Sequence, residues 1–377
     1  MMIDEERKKH RQDRILNLFI IVVALFTALL IGALIFLIAK GNPLKAYAVM
    51  FTRPFSSIFG ITEILVRAAP LMFVGLGIAI AFRSGILNIG AEGQILIGAI
   101  AGASVALAFP DLPKFILIPM IFLSSFIGGA LWGGIAGWMR AYLNVNEILS
   151  TVMLNYVAIQ VYMFLIRGPL IDPKEVSYGT GVPQTAVFSK TAWLTRLIPG
   201  TRLHTGIIIA VILAIAVYIL LWKTTIGYRM RAVGVEPKAA RSAGINVKAY
   251  LLLAMLLSGG FAGMAGAIEI TGVHHRALES ISAGYGFSGI VVALFGGLHP
   301  LGIIPSSIVF GLLIIGSDMM QRAVDVPASI ILSIQGLIIM AIVSSQTFIV
   351  NPKFKEKILK IVNYSSKKMN NDQGGQS

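Results

Sequence analysis

The sequence predicts an all-α polytopic membrane protein of about ten transmembrane helices with a two-helix cytoplasmic loop. Hydrophobic residues make up 56% of the chain and charged residues only 13%. Its apolar runs are long enough to cross a hydrocarbon layer of roughly 30 Å, whereas a soluble core has no use for so much apolar sequence. Lys and Arg gather in a few short segments, as they do in loops that stay on the inner side of a membrane.

Windows of roughly 19 residues place spans at 15–39, 64–82, 88–109, 114–138, 147–166, 206–222, 250–270, 284–298, 301–316 and 328–349. The first is an anchor rather than a cleaved leader, because its apolar run of about 25 residues exceeds the roughly 7 to 15 of an export signal. The eighth and ninth are short and Gly-rich, which predicts a broken or re-entrant element, tolerated where protein or a wet cavity shields it. Residues 1–349 read as one transmembrane domain and 350–377 as a basic tail, disordered from Asn370 onward.

Charge sets the orientation. Arg7, Lys8, Lys9, Arg11 and Arg14 precede the first span, and Lys353, Lys355, Lys357, Lys360, Lys367 and Lys368 follow the last, so both termini are expected in the cytoplasm. The loop at 223–249 then falls on the same side, and it is the most basic internal one, with Lys223, Arg229, Arg231, Lys238, Arg241 and Lys248. The net charge of +14 is therefore a topology signal and an attraction to anionic lipid. Nothing groove-reading accompanies it, which excludes a nucleic-acid role.

That basic loop carries signals of order. Thr224 and Thr225 offer cap oxygens to a helix through Arg229 and Arg231, and Gly234 is expected in the left-handed conformation that ends it. Pro237 suits the first position of a second helix, Lys238 to Ala243 extend it, and Gly244 stops it. The opposite-side segment at 167–205 holds Pro169, Pro173, Pro183 and Pro199 and is long enough to form a cap with a docking or gating role.

Within the spans, Gly98 and Gly102, Gly129, Gly133 and Gly137, and Gly259 and Gly263 recur at helical spacing, as expected of tight helix contacts in lipid. Polar residues are costlier there and gather in two clusters. In FRSGILNIGAEGQ, Phe82 to Gln94, Asn88 and Glu92 stand one turn apart, Glu92 near a helix N-terminus, with Gly85, Gly90 and Gly93 permitting an irregular turn. In NVNEILSTVMLNYVAIQ, Asn144 to Gln160, the residues Glu147, Thr151 and Asn155 recur every fourth position and share a face. These side chains, with Gln94 and Gln160, either brace the bundle by hydrogen bonds or line a path through it. Glu269, close to His274, His275 and Arg276, reads as solvated at the membrane interface.

Catalytic chemistry is missing. There is no cysteine, no GxxxxGK[ST] phosphate loop, no HExxH pair and no serine elbow, so no catalytic residue, metal site or cofactor is expected and the chain cannot hydrolyse ATP by itself.

The segment GYRMRAVGVEPKAARSAGI, Gly227 to Ile245, resembles the coupling loop of ATP-binding-cassette (ABC) importer permeases of the ribose, branched-chain amino acid and nucleoside group. FRSGILNIGAEGQ and NEILSTVMLNY are similar to signatures of the simple-sugar and nucleoside branch, as is YGFSGIVVALFGGLHPLG from Tyr285 to Gly302. The resemblance runs along nearly the whole chain. It implies a permease of the bacterial cytoplasmic membrane that pairs with a second, homologous permease, an ABC ATPase subunit and an extracytoplasmic binding protein. On that resemblance Gly227, Arg229, Arg231, Gly234, Pro237, Ala240 and Gly244 form the ATPase dock, and Asn88, Glu92, Gln94, Glu147, Thr151, Asn155 and Gln160 are the candidates for the translocation path of a nucleoside or simple sugar. A secondary carrier using intramembrane carboxylates such as Glu92 as its ion site is the alternative, and a channel or scaffold a third. Neither rival requires an ordered basic loop.

Overall fold

The computed structural model describes residues 41–323 continuously, with parts of the stretches 23–38 and 330–344. The expected basic N-terminal tail, most of the last span and the C-terminal tail lie outside the described residues. Met50–Gly316 form one compact unit, and the described residues up to Val49 and from Ser317 belong to a second.

Among the described residues the chain is helical and no strand longer than a single bridge forms. The helices run in the order α1 (Leu29–Ile38), α2 (Pro43–Thr52), α3 (Ile58–Arg83), α4 (Ala91–Ala108), α5 (Lys114–Leu143), α6 (Glu147–Arg167) and the short α7 (Pro173–Ser177). They continue with α8 (Gly206–Lys223), α9 (Thr225–Val235), α10 (Pro237–Ser242), α11 (Val247–Ile268), α12 (Tyr285–Phe295) and α13 (Pro300–Ala323). Seven of the described helices are long and apolar enough to cross a bilayer: α3, α4, α5, α6, α8, α13, and α11 with its extension to Val273.

The second to seventh expected spans fall on α3, α4, α5, α6, α8 and α11 with ends shifted by a few residues, whereas the first lies partly and the tenth mostly outside the described residues. The ninth is no fragment, since α13 has 24 residues. The eighth is one: α12 has 11 residues, about 16 Å at 1.5 Å per residue, half of a bilayer core. Beyond it, Arg83 at the end of α3 donates from Nη2 to Gly297 O at 2.9 Å and from Nε to Leu298 O at 3.1 Å. That turn therefore lies at the basic end of the bundle, beside α8–α10. At the other end of α12, Arg67, in mid-α3, donates to the Tyr285 hydroxyl at 2.7 Å. Hence α12 begins inside the bundle, and the segment 274–284 reaches down to it from the opposite, loop-bearing end.

Helix packing follows the glycines. A Cβ on Gly98 would stand 2.2 Å from Gly263 Cα, and one on Gly129 would stand 2.2 Å from Gly259 O, so α4, α5 and α11 touch backbone to backbone. With lipid outside and no water to expel, such close van der Waals contact is what holds apolar helices together.

At the loop-bearing end, residues 168–205 are ordered by α7, a turn at Lys190–Ala192 and pairing with the segment after α11: Thr185 N donates to Ala277 O at 2.9 Å and Phe188 N to His275 O at 2.9 Å. Glu63, 3% exposed at its side chain, clamps this loop to α3 through a two-pronged ion pair with Arg202, whose Nε lies 2.9 Å from Oε1. The hydrogen bonds that Arg202 donates to Glu63 hold its guanidinium above its usual range.

Glu269 is not solvated at an interface. It is 1% exposed, opens a π-helical turn to Val273, and neither of its oxygens accepts a hydrogen bond among the described residues. The His274 ring stands beside it, with Nε2 3.4 Å from Oε2, too long for a good hydrogen bond.

Candidate functional site

Two places merit attention, the basic double helix and a broken region inside the bundle.

The basic loop forms two short helices, α9 and α10, with some of the expected caps in place. Thr224, rather than Thr225, caps α9, its Oγ1 accepting from Gly227 N at 3.1 Å. Pro237 opens α10, and the Glu236 carboxylate accepts from Lys238 N at 3.2 Å. Gly244, at φ +79°, ends α10. Gly234 does something else: it lies within α9 and has no positive φ. Its missing side chain admits α3, because a Cβ there would stand 2.2 Å from Arg83 O and 2.9 Å from Gly85 N. Gly85 reciprocates at φ +77°, the left-handed turn by which the chain leaves α3.

Three of the seven expected dock residues pack into the protein, and Arg231 does so in part. Gly227 is pressed against the Leu220 carbonyl, Gly234 against α3, and Ala240 is buried with Val233 and Val247 in a small core that fastens both helices to α11. Arg231 lies over the Trp222 ring at 5.4 Å, with Arg83 over the same ring at 5.5 Å. Half-buried, it also borders the groove between α9 and α10. Arg229, Pro237 and Gly244 are exposed. Two exposed residues escaped the sequence reading, Tyr228 at 63% and Val235 at 84%. Their signal was apolar side chains on the outer face of a polar helix. They border a cavity of about 470 Å³ between α9 and α10, shared with Glu236 and Ala239.

The broken region begins where α3 ends. Ser84 to Gly90 leave the helical path, so Asn88 precedes α4 and is not one helical turn from Glu92. Asn88 is fully buried, donating to Gln94 Oε1 and Ser258 Oγ, each at 2.8 Å, and accepting from Gly90 N at 2.9 Å. Asn155 accepts from Gly93 N at 2.8 Å and donates to Ile89 O at 2.9 Å. Asn88 and Asn155 thus supply hydrogen bonds that an unwound backbone in hydrocarbon cannot obtain from water, and Gln94 holds the Asn88 amide in place. Thr151 is buried on the same α6 face and bonds back to Glu147 O at 2.6 Å, whereas the Glu147 carboxylate pairs with Arg140 at 3.2 Å. Gln160 is exposed on the flank of α6.

Glu92 occupies the centre. In the first turn of α4 and 8% exposed, it accepts from Gly284 N at 3.2 Å and Gly286 N at 2.8 Å, capping α12 from across the bundle. Two helix N-termini therefore meet at one carboxylate, which offsets the partial positive charge of both. Beside it opens a cavity of about 300 Å³ walled by α4, α6 and residues 279–284. No cluster of metal-binding side chains occurs among the described residues.

The model of the family described as "Branched-chain amino acid transport system / permease component" matches residues 60–343. The chain belongs to that family. Among curated relatives of this permease, the glucose ABC transporter permease protein TsgB13 of Haloferax volcanii is 37% identical over 87% of each chain. The guanosine ABC transporter permease protein NupP of Bacillus subtilis is 33% identical over 91% of this chain and 98% of its own. A second guanosine permease protein of Bacillus subtilis, NupQ, is 30% identical over 70% of this chain and 84% of its own. The protein is thus a multi-pass permease subunit of an ABC transporter, and the enzymatic work of that transporter belongs to another subunit. Neither a soluble enzyme nor an ion-coupled carrier describes it.

Proposed function

We propose that this permease is half of a heterodimeric membrane pair in an ABC importer of a bacterial cytoplasmic membrane, with both termini and α9–α10 in the cytoplasm. It carries a nucleoside or a simple sugar, handed over by an extracytoplasmic binding protein at the end that bears residues 168–205. The ATPase subunit docks on α9 and α10. Relatives named for guanosine and for glucose support the cargo class, and two guanosine permeases in one Bacillus subtilis strain support a pair of unlike halves.

The observation that carries this reading is the seat of α9 on α3. The double helix presents exposed Tyr228, Arg229 and Val235 outward while its inner side meets Arg83 and Gly85 backbone to backbone through Gly234. A push on α9 from an ATPase is thereby delivered to the start of the 84–90 segment, which leads to Glu92 and the paired N-termini. Backbone contact leaves little compliance, so displacement is passed on instead of absorbed. Alternating access then amounts to rocking of these packed helices between outward and inward openings.

The test is co-expression with the candidate ATPase, partner permease and binding protein, followed by affinity capture and uptake of labelled guanosine and glucose. ATPase capture and uptake that survives an uncoupler but fails with a hydrolysis-dead ATPase are expected. Capture unaffected by Arg229→Glu combined with Val235→Asp would place the dock elsewhere, and uptake abolished by the uncoupler alone would refute ATP coupling.

A further inference from the structure

We infer that the cavity beside Glu92 is a transit site for the sugar moiety of the cargo, with the Glu92 carboxylate accepting hydrogen bonds from two neighbouring hydroxyls. This rests on the nucleoside or sugar reading above and names the part of the cargo that is gripped and the group that grips it.

The cavity holds about 300 Å³, at the small end of the range for small-molecule sites. Its wall is chemically divided. Leu96, Ile159 and Met163 give an apolar side, while Glu92, Ser280 and Ser282 give the polar side. No Lys or Arg lines it, and the Glu279 carboxylate at its rim is paired with Arg167 at 3.9 Å, which leaves Glu92 as the charge that faces a ligand. Glu92 disfavours an anionic cargo such as a phosphorylated sugar. A ligand rich in hydroxyl donors fits this wall, and one with an apolar ring face also finds the methionine and isoleucine.

Glu92 is built as an acceptor. A carboxylate offers about four lone-pair directions, of which Gly284 N and Gly286 N each take one. The two N–H bonds fix the carboxylate plane and leave acceptor capacity for a cis-diol, whose paired hydroxyls match two carboxylate oxygens. The wall from 280 to 284 is held in an unusual path, with Ser280 at φ +61°, Ala283 at +45° and Gly284 at +75°. Such a backbone keeps its shape only when its surroundings enforce it. Tyr162 does so from α6, donating to Leu278 O at 2.9 Å.

The site is also placed to be released. Glu92 follows the 84–90 segment that starts at the Gly85–Gly234 contact, so movement of α9 would shift the carboxylate against the start of α12 and open the grip.

Saturation-transfer NMR on the full-length permease in nanodiscs tests this, with guanosine, 2′,3′-dideoxyguanosine and glucose as probes and the assembled transporter assayed for uptake in parallel. Signal on ribose or glucose ring protons is expected, falling by about 10- to 100-fold in affinity with Glu92→Gln, the loss of a charge-assisted acceptor. The dideoxy probe is expected to bind as weakly to wild type as guanosine does to Glu92→Gln. Should Glu92→Gln fail to assemble, Met163→Trp, which fills the cavity and leaves the α12 cap intact, is expected to abolish the signal. ATP-dependent uptake by wild type with no signal, or with Met163→Trp binding as wild type does, would overturn the transit site and leave the importer reading standing. Uptake of neither guanosine nor glucose would overturn both.

Discussion

Replacing Gly234 by alanine tests whether α9 drives the membrane domain through its contact with α3. The added methyl would stand 2.2 Å from Arg83 O, where ordinary contact begins at 3.4 Å, so α9 must withdraw by about 1.2 Å. Forcing a carbon into packed backbone costs about 1–3 kcal/mol. The dock should survive, because Val233, Ala240 and Val247 form a core of their own that the methyl does not enter. Gly244→Ala is the matched control: its cost is the left-handed φ of +79°, with nothing within 4 Å of the new Cβ, or about 1 kcal/mol of strain. With ATPase capture and ATP-dependent uptake measured side by side, Gly234→Ala should retain capture within a few-fold while uptake falls about tenfold or more, since a 1 Å misplacement can cost about 100-fold in a geometry-limited step. Gly244→Ala should keep most of both. Equal uptake by Gly234→Ala and wild type would refute transmission through this contact.

Other expectations follow from the same packing. Arg202→Ala strands the buried Glu63 carboxylate and should destabilise the solubilised protein by about 2–3 kcal/mol, less than a fully buried pair because Arg202 is 43% exposed; thermal unfolding in detergent reads this, and Glu63→Gln added to it should restore part of the loss. Gly263→Ala, whose Cβ would stand 2.1 Å from Ser125 O, should lower the unfolding temperature and expression more than Gly336→Ala, which meets nothing within 4 Å. Burial first, and then the nearby His275, push His204 down from 6.5 to about 4. The unfolded state therefore takes up the proton first: the contribution is fully present above about pH 6.5 and is lost as pH falls towards 4, by about 3 kcal/mol at most. Protection from hydrogen exchange across 195–205, corrected for the slower intrinsic exchange in acid, should fall on acidification in wild type, and His204→Gln should flatten that fall; identical pH profiles would sink the assignment.

Much of this was legible in the linear sequence. A span of apolar residues must be helical in lipid because every backbone group has to find its partner within the segment, and Thr224, Pro237 and Gly244 act locally, through bonds that reach only a few residues. Glycines four apart also keep their meaning in any close helix pair. Less legible was the fate of charges inside spans. Arg67 breaks an apolar run and is an anomaly by hydropathy alone, but its partner Tyr285 is 218 positions away, and Glu63 finds Arg202 at a separation of 139. Hydropathy windows average such residues away. Glu269 was misread for a related reason, since neighbouring histidines in sequence suggested an interface while folding placed the carboxylate in the core.

The sequence by itself determined the membrane class, most span positions, the family and the capped double helix, because each depends on composition or on short-range bonding. Only the tertiary structure decided that α12 is half a helix starting inside the bundle, that Gly234 is a contact with α3 and not a helix stop, and that Glu92 joins two helix N-termini beside a cavity. Those facts are distances between residues far apart in the chain, fixed by how the helices pack.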